Sequence, residues 1–247
     1  MTNKVFVVLP CYNEEMSLSL LAERIDEACA KMDYSVIAVD DGSKDQTYAT
    51  LLKLQKHFPI IIKRHTRNMG LQAALRTGLT KAASTAKDNG DGIVVMDADL
   101  THDPKYIPHM IAALAKGYDV AIGSRYVKGG VQLGVPVHRQ VLSIGMRFVS
   151  MCLFRLPVRD VTSGYRAYRA ELLKRLLATY GDSFIESKGF EVAFELLIKT
   201  CKLGARFAEI PLRLDYSKKK SRSKLAVQKT IFNYFKLILR NLKISFS

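Results

Sequence analysis

Short apolar runs alternate with stretches of helical spacing through the first half of the chain, and this alternation restricts the fold more than any other feature. Val5–Leu9, Tyr34–Val39, Pro59–Lys63, Ile93–Met96 and Asp119–Gly123 read as strands. Between them, Glu14–Lys31, Gln46–Lys56, Leu71–Ala83 and Pro104–Leu114 read as helices. Leu18, Leu21, Ile25 and Ala28 mark the buried stripe of the first helix, and Pro104 stands at a helix start, where its missing N–H costs nothing. Repeated strand–helix–strand units with apolar strands predict an α/β fold: a doubly wound, mostly parallel sheet with helices on both faces. Such sheets bind ligands beyond the carboxyl ends of their strands, where strand order switches.

The unusual residues lie at those ends. The first strand runs into Pro10-Cys11-Tyr12-Asn13-Glu14, the second into Asp40-Asp41-Gly42-Ser43, a third into Asp97-Ala98-Asp99, and a fourth into Gly123-Ser124-Arg125-Tyr126. Four polar clusters on one edge of one sheet predict a binding site there.

The second half has a different texture. Lys128–His138 reads as a loop rich in Gly and Val, Arg139–Phe154 as an apolar helix, and Arg159–Arg166 as a polar stretch with a Ser163-Gly164 turn. Glu191–Lys202 reads as a helix and Arg206–Leu214 as a strand. Between Lys202 and Lys243 there are twelve Lys or Arg and only two acidic residues. We expect one domain over 1–215 and a basic amphipathic segment over 216–247. In Leu225–Phe246 the polar residues Lys229, Asn233, Lys236, Arg240 and Lys243 recur at steps of four and three, forming one basic stripe on an otherwise apolar helix. Such a helix either lies in the headgroup region of an anionic membrane or packs on the domain with its basic side in water.

The 247 residues are ample for a buried core. A formal net charge of +15 calls for an anionic partner: a phosphorylated substrate, a lipid surface or nucleic acid. No nucleic-acid-binding module is evident, and nucleic acid is not expected as a partner. The first strand lacks the glycine fingerprint of a dinucleotide-binding oxidoreductase. No secretory signal is recognisable, and Val141–Phe154 is too short to span a bilayer and is broken by Arg147. Cys11, Cys29, Cys152 and Cys201 are too scattered for a zinc or redox motif and read as free thiols of a reducing compartment. The expected location is cytoplasmic, peripheral at the membrane.

Asp97 and Asp99 offer hard oxygen ligands to a divalent cation that also holds substrate phosphates; the competing role is to cap the helix beginning near Pro104. Asp40 suits hydrogen bonding to a base or ribose, and Asp41 fits either a ligand or an Asx turn. Ser43 and Asp45 fit helix caps. Arg67-Asn68-Met69-Gly70 leads into a helix and fits an anion site or a plain surface turn. Arg125, Arg139, Arg159, Arg166 and Lys188 are the basic residues available to clamp phosphate, Arg125 foremost because its strand opens onto the same edge as the paired aspartates. His102 stands within reach of the same metal position or is a simple loop residue.

Taken together, Leu9-Pro10-Cys11-Tyr12-Asn13-Glu14, Val39-Asp40-Asp41-Gly42-Ser43, Met96-Asp97-Ala98-Asp99-Leu100, Gly123-Ser124-Arg125-Tyr126 and Asp160-Val161-Thr162-Ser163-Gly164-Tyr165-Arg166 resemble the family-two inverting glycosyltransferases, and within them the dolichyl-phosphate mannose synthases and bacterial polyprenyl-phosphate sugar transferases. The resemblance runs through Ser223-Lys224-Leu225 and implies a GT-A fold with a C-terminal amphipathic helix. It implies that Pro10, Tyr12, Glu14, Ala38 and Asp40 surround the nucleotide. By the same resemblance, Asp97, Asp99 and the backbone of Ala98 stand at a Mg²⁺ or Mn²⁺ ion. Thr101 replaces a glutamine that serves as a further metal ligand in relatives. Arg125 and Arg139 would hold the acceptor phosphate, and Lys188, Lys218 and Lys224 would lie near the diphosphate. Lys218 stands where relatives carry arginine, an exchange that is not neutral for bidentate binding. Many relatives also carry C-terminal transmembrane helices that this chain lacks, which implies a peripheral enzyme or a separate membrane-protein partner.

The expected reaction is transfer of a hexose from a nucleotide-sugar of the GDP-mannose or UDP-glucose type to a polyprenyl or dolichyl phosphate. A phosphate monoester has a second pKa of about 6 and is a dianion at neutral pH, so it needs positioning cations and no general base. Asp160 is the available base if the acceptor is instead a saccharide hydroxyl of a cell-envelope polymer. A non-catalytic basic protein that binds membrane or nucleic acid is the alternative outside enzymes.

Overall fold

The computed structural model describes residues 4–189, 191–216 and 227–243. The strands are β1 (Val5–Cys11), β2 (Tyr34–Asp40), β3 (Ile60–Arg64), β4 (Gly92–Val95), β5 (Val120–Ser124), β6 (Val131–Leu133), β7 (Arg166–Arg169), β8 (Phe207–Pro211) and β9 (Arg213–Asp215). The helices are α1 (Glu15–Cys29), α2 (Thr47–Leu54), α3 (Leu71–Thr85), α4 (Ile107–Ala115), α5 (Val137–Val149), α6 (Ala170–Tyr180), α7 (Val192–Lys202) and α8 (Val227–Lys243).

Seven strands form the main sheet in the order β3-β2-β1-β4-β7-β5-β8. All neighbours pair parallel except β7, which runs antiparallel between β4 and β5. The switch in order falls at β1 and β4: the chain winds outwards through β2 and β3, then returns to place β4 on the other side of β1. Pleating splits the core between two faces. Phe6 and Val8 of β1 point towards Leu75 and Leu79 of α3 and onward to α6 and α7. Val5, Val7 and Leu9 point towards Leu18, Leu21 and Ile25 of α1 and Met110 and Leu114 of α4. Helix α3 lies so close to β1 that a Cβ on Gly78 would stand 2.4 Å from Val8 Cγ1.

The sequence reading of the second half needs correction in four places. The expected loop 128–138 contains β6. The expected single strand 206–214 is two: β8 in the main sheet and β9, which pairs with β6 in a small parallel sheet. Pro211 supplies no backbone N–H and ends β8, and Leu212 then donates to Ser124 O and accepts from Val131 N, which turns the chain into the second sheet. The polar stretch 159–166 ends in β7, whose apolar content is only Ala167 and Tyr168 between two arginines. Helix α6, whose buried residues include Leu172, Leu173 and Leu176, was not anticipated.

Helix α8 packs on the domain through Thr230, Tyr234, Leu237 and Asn241, all buried, at steps of four, three and four. Its exposed face is apolar: Ile231, Phe232, Phe235 and Leu239 are each 45–57% exposed. The basic stripe therefore borders an apolar face that remains outside. Arg240 reaches inward to the buried Glu195 at 2.8 Å. The side chains of Lys229 and Lys243 lie outside the described residues.

Candidate active site

Two adjoining chambers open at the carboxyl edge of the sheet, and Asp97, Pro10, Leu71, Arg139, Tyr216 and Thr230 line both. The larger, about 400 Å³, is bounded by Tyr12, Glu14, Ala98, Asp99, Asn68 and Lys188. The smaller, about 160 Å³, is bounded by Arg125, Ser143, Thr162, Ser163, Arg166 and Tyr234.

The walls of the larger chamber are tied together by side chains of the first two strand-end loops. Asn13 N donates to Ser43 Oγ (3.0 Å), Lys44 N donates to Asn13 Oδ1 (2.9 Å), and Glu14 N donates to Thr47 Oγ1 (2.8 Å). Asn13 has a φ of +51°, a conformation Asn tolerates better than most residues. Asp45 caps α2 by accepting from Thr47 N, whereas Ser43 serves the first loop. Asp41 settles the turn before α3: its carboxylate accepts from Met69 N (2.9 Å) and Gly70 N (2.8 Å) and pairs with His65 Nδ1 (2.6 Å). Of the two readings for the start of α3, an anion site or a plain turn, the structure has a turn whose anion is the protein's own Asp41. Gly42, with φ +64°, allows this turn to cross it, because a Cβ there would stand 2.3 Å from the Arg67 carbonyl carbon.

Ala38 and Asp40 lie behind the chamber wall, both fully buried in β2. Asp40 Oδ1 accepts from Ser43 N, whereas Oδ2 makes no hydrogen bond among the described residues, although Arg64 Nε stands 3.2 Å away. The charge of this buried oxygen is thus met by the Arg64 guanidinium as an ion pair and not by a hydrogen bond.

Past β4, Asp97 has a half-exposed side chain and Asp99 is buried. Asp99 Oδ1 accepts from Thr101 N (3.1 Å) and Thr101 Oγ1 (2.6 Å), so the Thr101 hydroxyl orients Asp99. His102 stacks on Tyr165 at 4.9 Å and its Nδ1 accepts from Asp97 N (3.0 Å), which fixes the backbone where it enters Asp97. The cap of the turn at Pro104 is Asp103, which accepts from Lys105 N, so neither Asp97 nor Asp99 serves that role. Two carboxylates beside a chamber with a lysine on its rim form a hard-oxygen donor set that fits a divalent ion completing its shell with substrate oxygens and water. Among the described residues no group of three or more His, Cys, Asp and Glu could hold such an ion without outside ligands.

In the smaller chamber Arg125 is locked in place. Its Nε and backbone N donate to Asp160 Oδ2 (2.8 and 2.9 Å), and its Nη2 donates to Asp160 Oδ1 (2.7 Å), Thr162 Oγ1 (2.8 Å) and Ser143 Oγ (3.1 Å). Burial pulls the guanidinium pKa down, but the bonds to Asp160 and its charge outweigh this and hold it above its ordinary value. Asp160 is fully buried and also accepts from Ser163 N. Its loop is fastened to β8, since Glu209 accepts from the N–H groups of Arg159 and Asp160. Arg139 donates to the Tyr216 hydroxyl and lies over that ring. Arg166 is buried and bonds to the carbonyls of Val161 and Ala193; Arg159 is exposed away from the chamber. Lys218 and Lys224 lie outside the described residues.

The family model for glycosyl transferase family 2 matches residues 6–177. The chain belongs to this family. It is 36% identical over 244 residues to a dolichol-phosphate mannosyltransferase of Pyrococcus furiosus, covering 97% of this chain and 64% of that relative's length. The chain thus spans just under two thirds of that relative. It is 33% identical over 213 residues to a polyprenol monophosphomannose synthase of Mycolicibacterium smegmatis, covering 85% of this chain and 77% of the relative. Among solved structures, glucosyl-3-phosphoglycerate synthase from Mycobacterium tuberculosis, in complex with Mn²⁺, UDP and glucosyl-3-phosphoglycerate, superposes with a TM-score of 0.66 at 19% identity, covering 98% of this chain and 79% of that one. The sheet is accordingly the GT-A fold.

The two chambers include residues the sequence did not single out. Ser143 and Thr162 complete the cradle of Arg125, Tyr216 backs Arg139, and Thr230 and Tyr234 of α8 close the smaller chamber. Thr162 was legible inside a motif. The others come from segments whose pattern reports only helix or loop.

Proposed function

We propose that this family 2 chain transfers a hexose from a GDP- or UDP-sugar to a polyprenyl or dolichyl phosphate at the cytoplasmic face of a membrane, inverting the anomeric carbon. One observation carries the choice of acceptor. The smaller chamber is lined by three arginines, and its only carboxylate among the described residues is Asp97, which it shares with the larger chamber. A hydroxyl acceptor needs a base in that chamber. Of the other acids nearby, Asp160 is buried and spends both oxygens on Arg125 and Ser163, and Glu191 is buried and does not line the chamber; the Nδ1 of His102, which does line it, is taken by Asp97 N. A phosphate dianion needs only to be held.

In this reading the nucleotide occupies the larger chamber against Pro10, Tyr12 and Glu14, with Ala38 behind them. Asp40, buried beside Ala38, backs the wall against which the base packs. Lys188 faces the diphosphate; the same part expected of Lys218 and Lys224 falls outside the described residues. A Mg²⁺ or Mn²⁺ ion on Asp97 and Asp99 would neutralise charge on the departing nucleoside diphosphate. Thr101 orients Asp99. Arg125 and Arg139 aim an acceptor phosphate oxygen at the anomeric carbon; the new C–O bond forms as the bond to the diphosphate breaks, and the electron pair leaves on the diphosphate oxygen. No proton need move.

Membrane contact follows from two exposed apolar faces. Val137, Val141, Ile144, Phe148 and Met151 form a stripe along α5 and the π-turn 150–154 that continues it, all 56–74% exposed, and α8 adds Ile231, Phe232, Phe235 and Leu239. Arg147, Arg155 and Lys236 lie on the same two segments, the combination that binds anionic interfaces. Among the described residues no helix is long and apolar enough to cross a membrane.

The deciding assay offers radiolabelled GDP-mannose and UDP-glucose, with Mn²⁺, to the protein together with farnesyl phosphate, farnesol or a cell-envelope oligosaccharide. Label passing into the organic phase with the phosphate and not the alcohol is the expected result. Transfer only to a saccharide would overturn the proposal.

A further inference from the structure

Helix α8 has one face outside and one face in the catalytic cleft. The outer face carries the exposed apolar side chains. The inner face sets Thr230 and Tyr234 into the wall of the chamber that contains Arg125 and Arg139. Tyr234 is 4% exposed, and its ring rests against Phe194 at 6.1 Å. Its hydroxyl makes no hydrogen bond among the described residues. Here Tyr234 lines a chamber whose charged walls are three arginines, Arg125, Arg139 and Arg166, against the single carboxylate of Asp97.

We infer that Tyr234 is an acceptor ligand, its hydroxyl donating a hydrogen bond to the phosphate that Arg125 and Arg139 hold. This rests on the proposed phosphate acceptor and deepens it. Burial and then the Glu191 charge raise the phenol pKa more than Arg166 and Arg125 lower it, so the group stays a neutral donor beside an anion. The remaining acceptor contacts come from the globular body; this one comes from α8. The helix whose outer face would meet the lipid surface thus completes the pocket for the lipid's head group.

The test is Tyr234→Phe in the full chain, which keeps the ring and removes only an unbonded hydroxyl, so folding is retained. Two quantities are read: farnesyl phosphate binding by titration calorimetry, and the acceptor KM and kcat for transfer from the labelled donor. The expected result is an acceptor Kd and KM raised about tenfold, the effect of losing a hydrogen bond to a charged group. The nucleotide-induced thermal shift should be unchanged, and Tm unchanged or raised. Equal farnesyl phosphate affinity in the two proteins would overturn the inference, as would a parallel loss of Tm and nucleotide affinity, which marks a merely structural role. If the wild type binds farnesyl phosphate without transferring sugar to it, the proposed reaction fails while the Tyr234 contact still stands or falls on the binding difference. If the wild type does not bind it, both fall.

Discussion

Replacing Asp160 by Asn separates a positioning role from a general-base role. The substitution keeps shape and removes one charge. Asp160 accepts four hydrogen bonds: from Arg125 N and Nε at Oδ2, and from Arg125 Nη2 and Ser163 N at Oδ1. An Asn has one acceptor oxygen, so whichever way the amide turns, its NH₂ faces two of those donors. Asp160 is fully buried and the Arg125 side chain only 11% exposed, so the guanidinium charge is left without its counterion. Breaking a buried pair from one side costs about 3–5 kcal/mol. For a chain of this size each kcal/mol moves Tm by about 2–4 °C, which puts the expected fall near ~10 °C. Arg125 would then shift by a fraction of an ångström or more, and misplacement of that order costs roughly a hundredfold in turnover.

The assay is a two-by-two set: wild type, Asp160→Asn, Arg125→Ala and the double variant, each measured for Tm and for transfer to farnesyl phosphate. If Asp160 acts only through Arg125, adding Asp160→Asn to Arg125→Ala costs little further activity. Multiplying losses in the double variant would refute the reasoning and restore Asp160 as an independent proton acceptor. So would a single variant with wild-type Tm.

Three further outcomes are expected. Asp99→Asn should lower turnover at least about a hundredfold and abolish the Mn²⁺-dependent part of the thermal shift given by GDP or UDP, because a hard carboxylate ligand is lost; a full metal-dependent shift would count against the site. Gly42→Ala should cost more than about 3 kcal/mol in denaturant unfolding and weaken nucleotide binding together, because a Cβ at positive φ meets the Arg67 backbone beside the larger chamber; a near-neutral result would mean that the turn over Gly42 is not needed. Burial, and then the charge of Asp26, pushes the Cys29 thiol up to about 12 from 9.0, so its contribution to stability is complete below pH 9 and is lost as pH rises towards 12; at pH 8 a thiol reagent should label exposed Cys152 quickly and Cys29 only on unfolding, and fast labelling of both would contradict this burial.

Much of the first half of the molecule was legible because periodicity and chemistry agree there. A strand buried on both faces, such as Val5–Cys11, must be apolar throughout, and its neighbours in the register place Cys11 opposite Asp40 at one edge. A polar cluster that follows each of several such strands therefore has to share that edge. The same local reading could not tell how Asp41 is used. Whether its carboxylate meets a ligand or the N–H groups of Met69 and Gly70 depends on where a turn 28 residues further along the chain comes to rest.

The second half resisted for a related reason: its elements are defined by partners distant in sequence. β7 has two apolar residues and qualifies as a strand only because β4 and β5 lie on either side to bond it. β6 and β9 are three-residue strands that exist as a pair. For α8 the helical period was visible but the face was not. Judged by charge alone, its polar stripe of Asn233, Lys236 and Arg240 belongs in water. In the fold the inward positions are Thr230, Tyr234, Leu237 and Asn241, since these meet α7 and the cleft, and four large apolar side chains stay outside. A soluble helix that turns its phenylalanines outward and sets a threonine and a tyrosine against an arginine-lined chamber violates the usual inside-out rule twice. Both violations disappear if the outside is lipid and the chamber holds a phosphate, so the anomalous burial pattern of this one helix supports the acceptor and the membrane surface together.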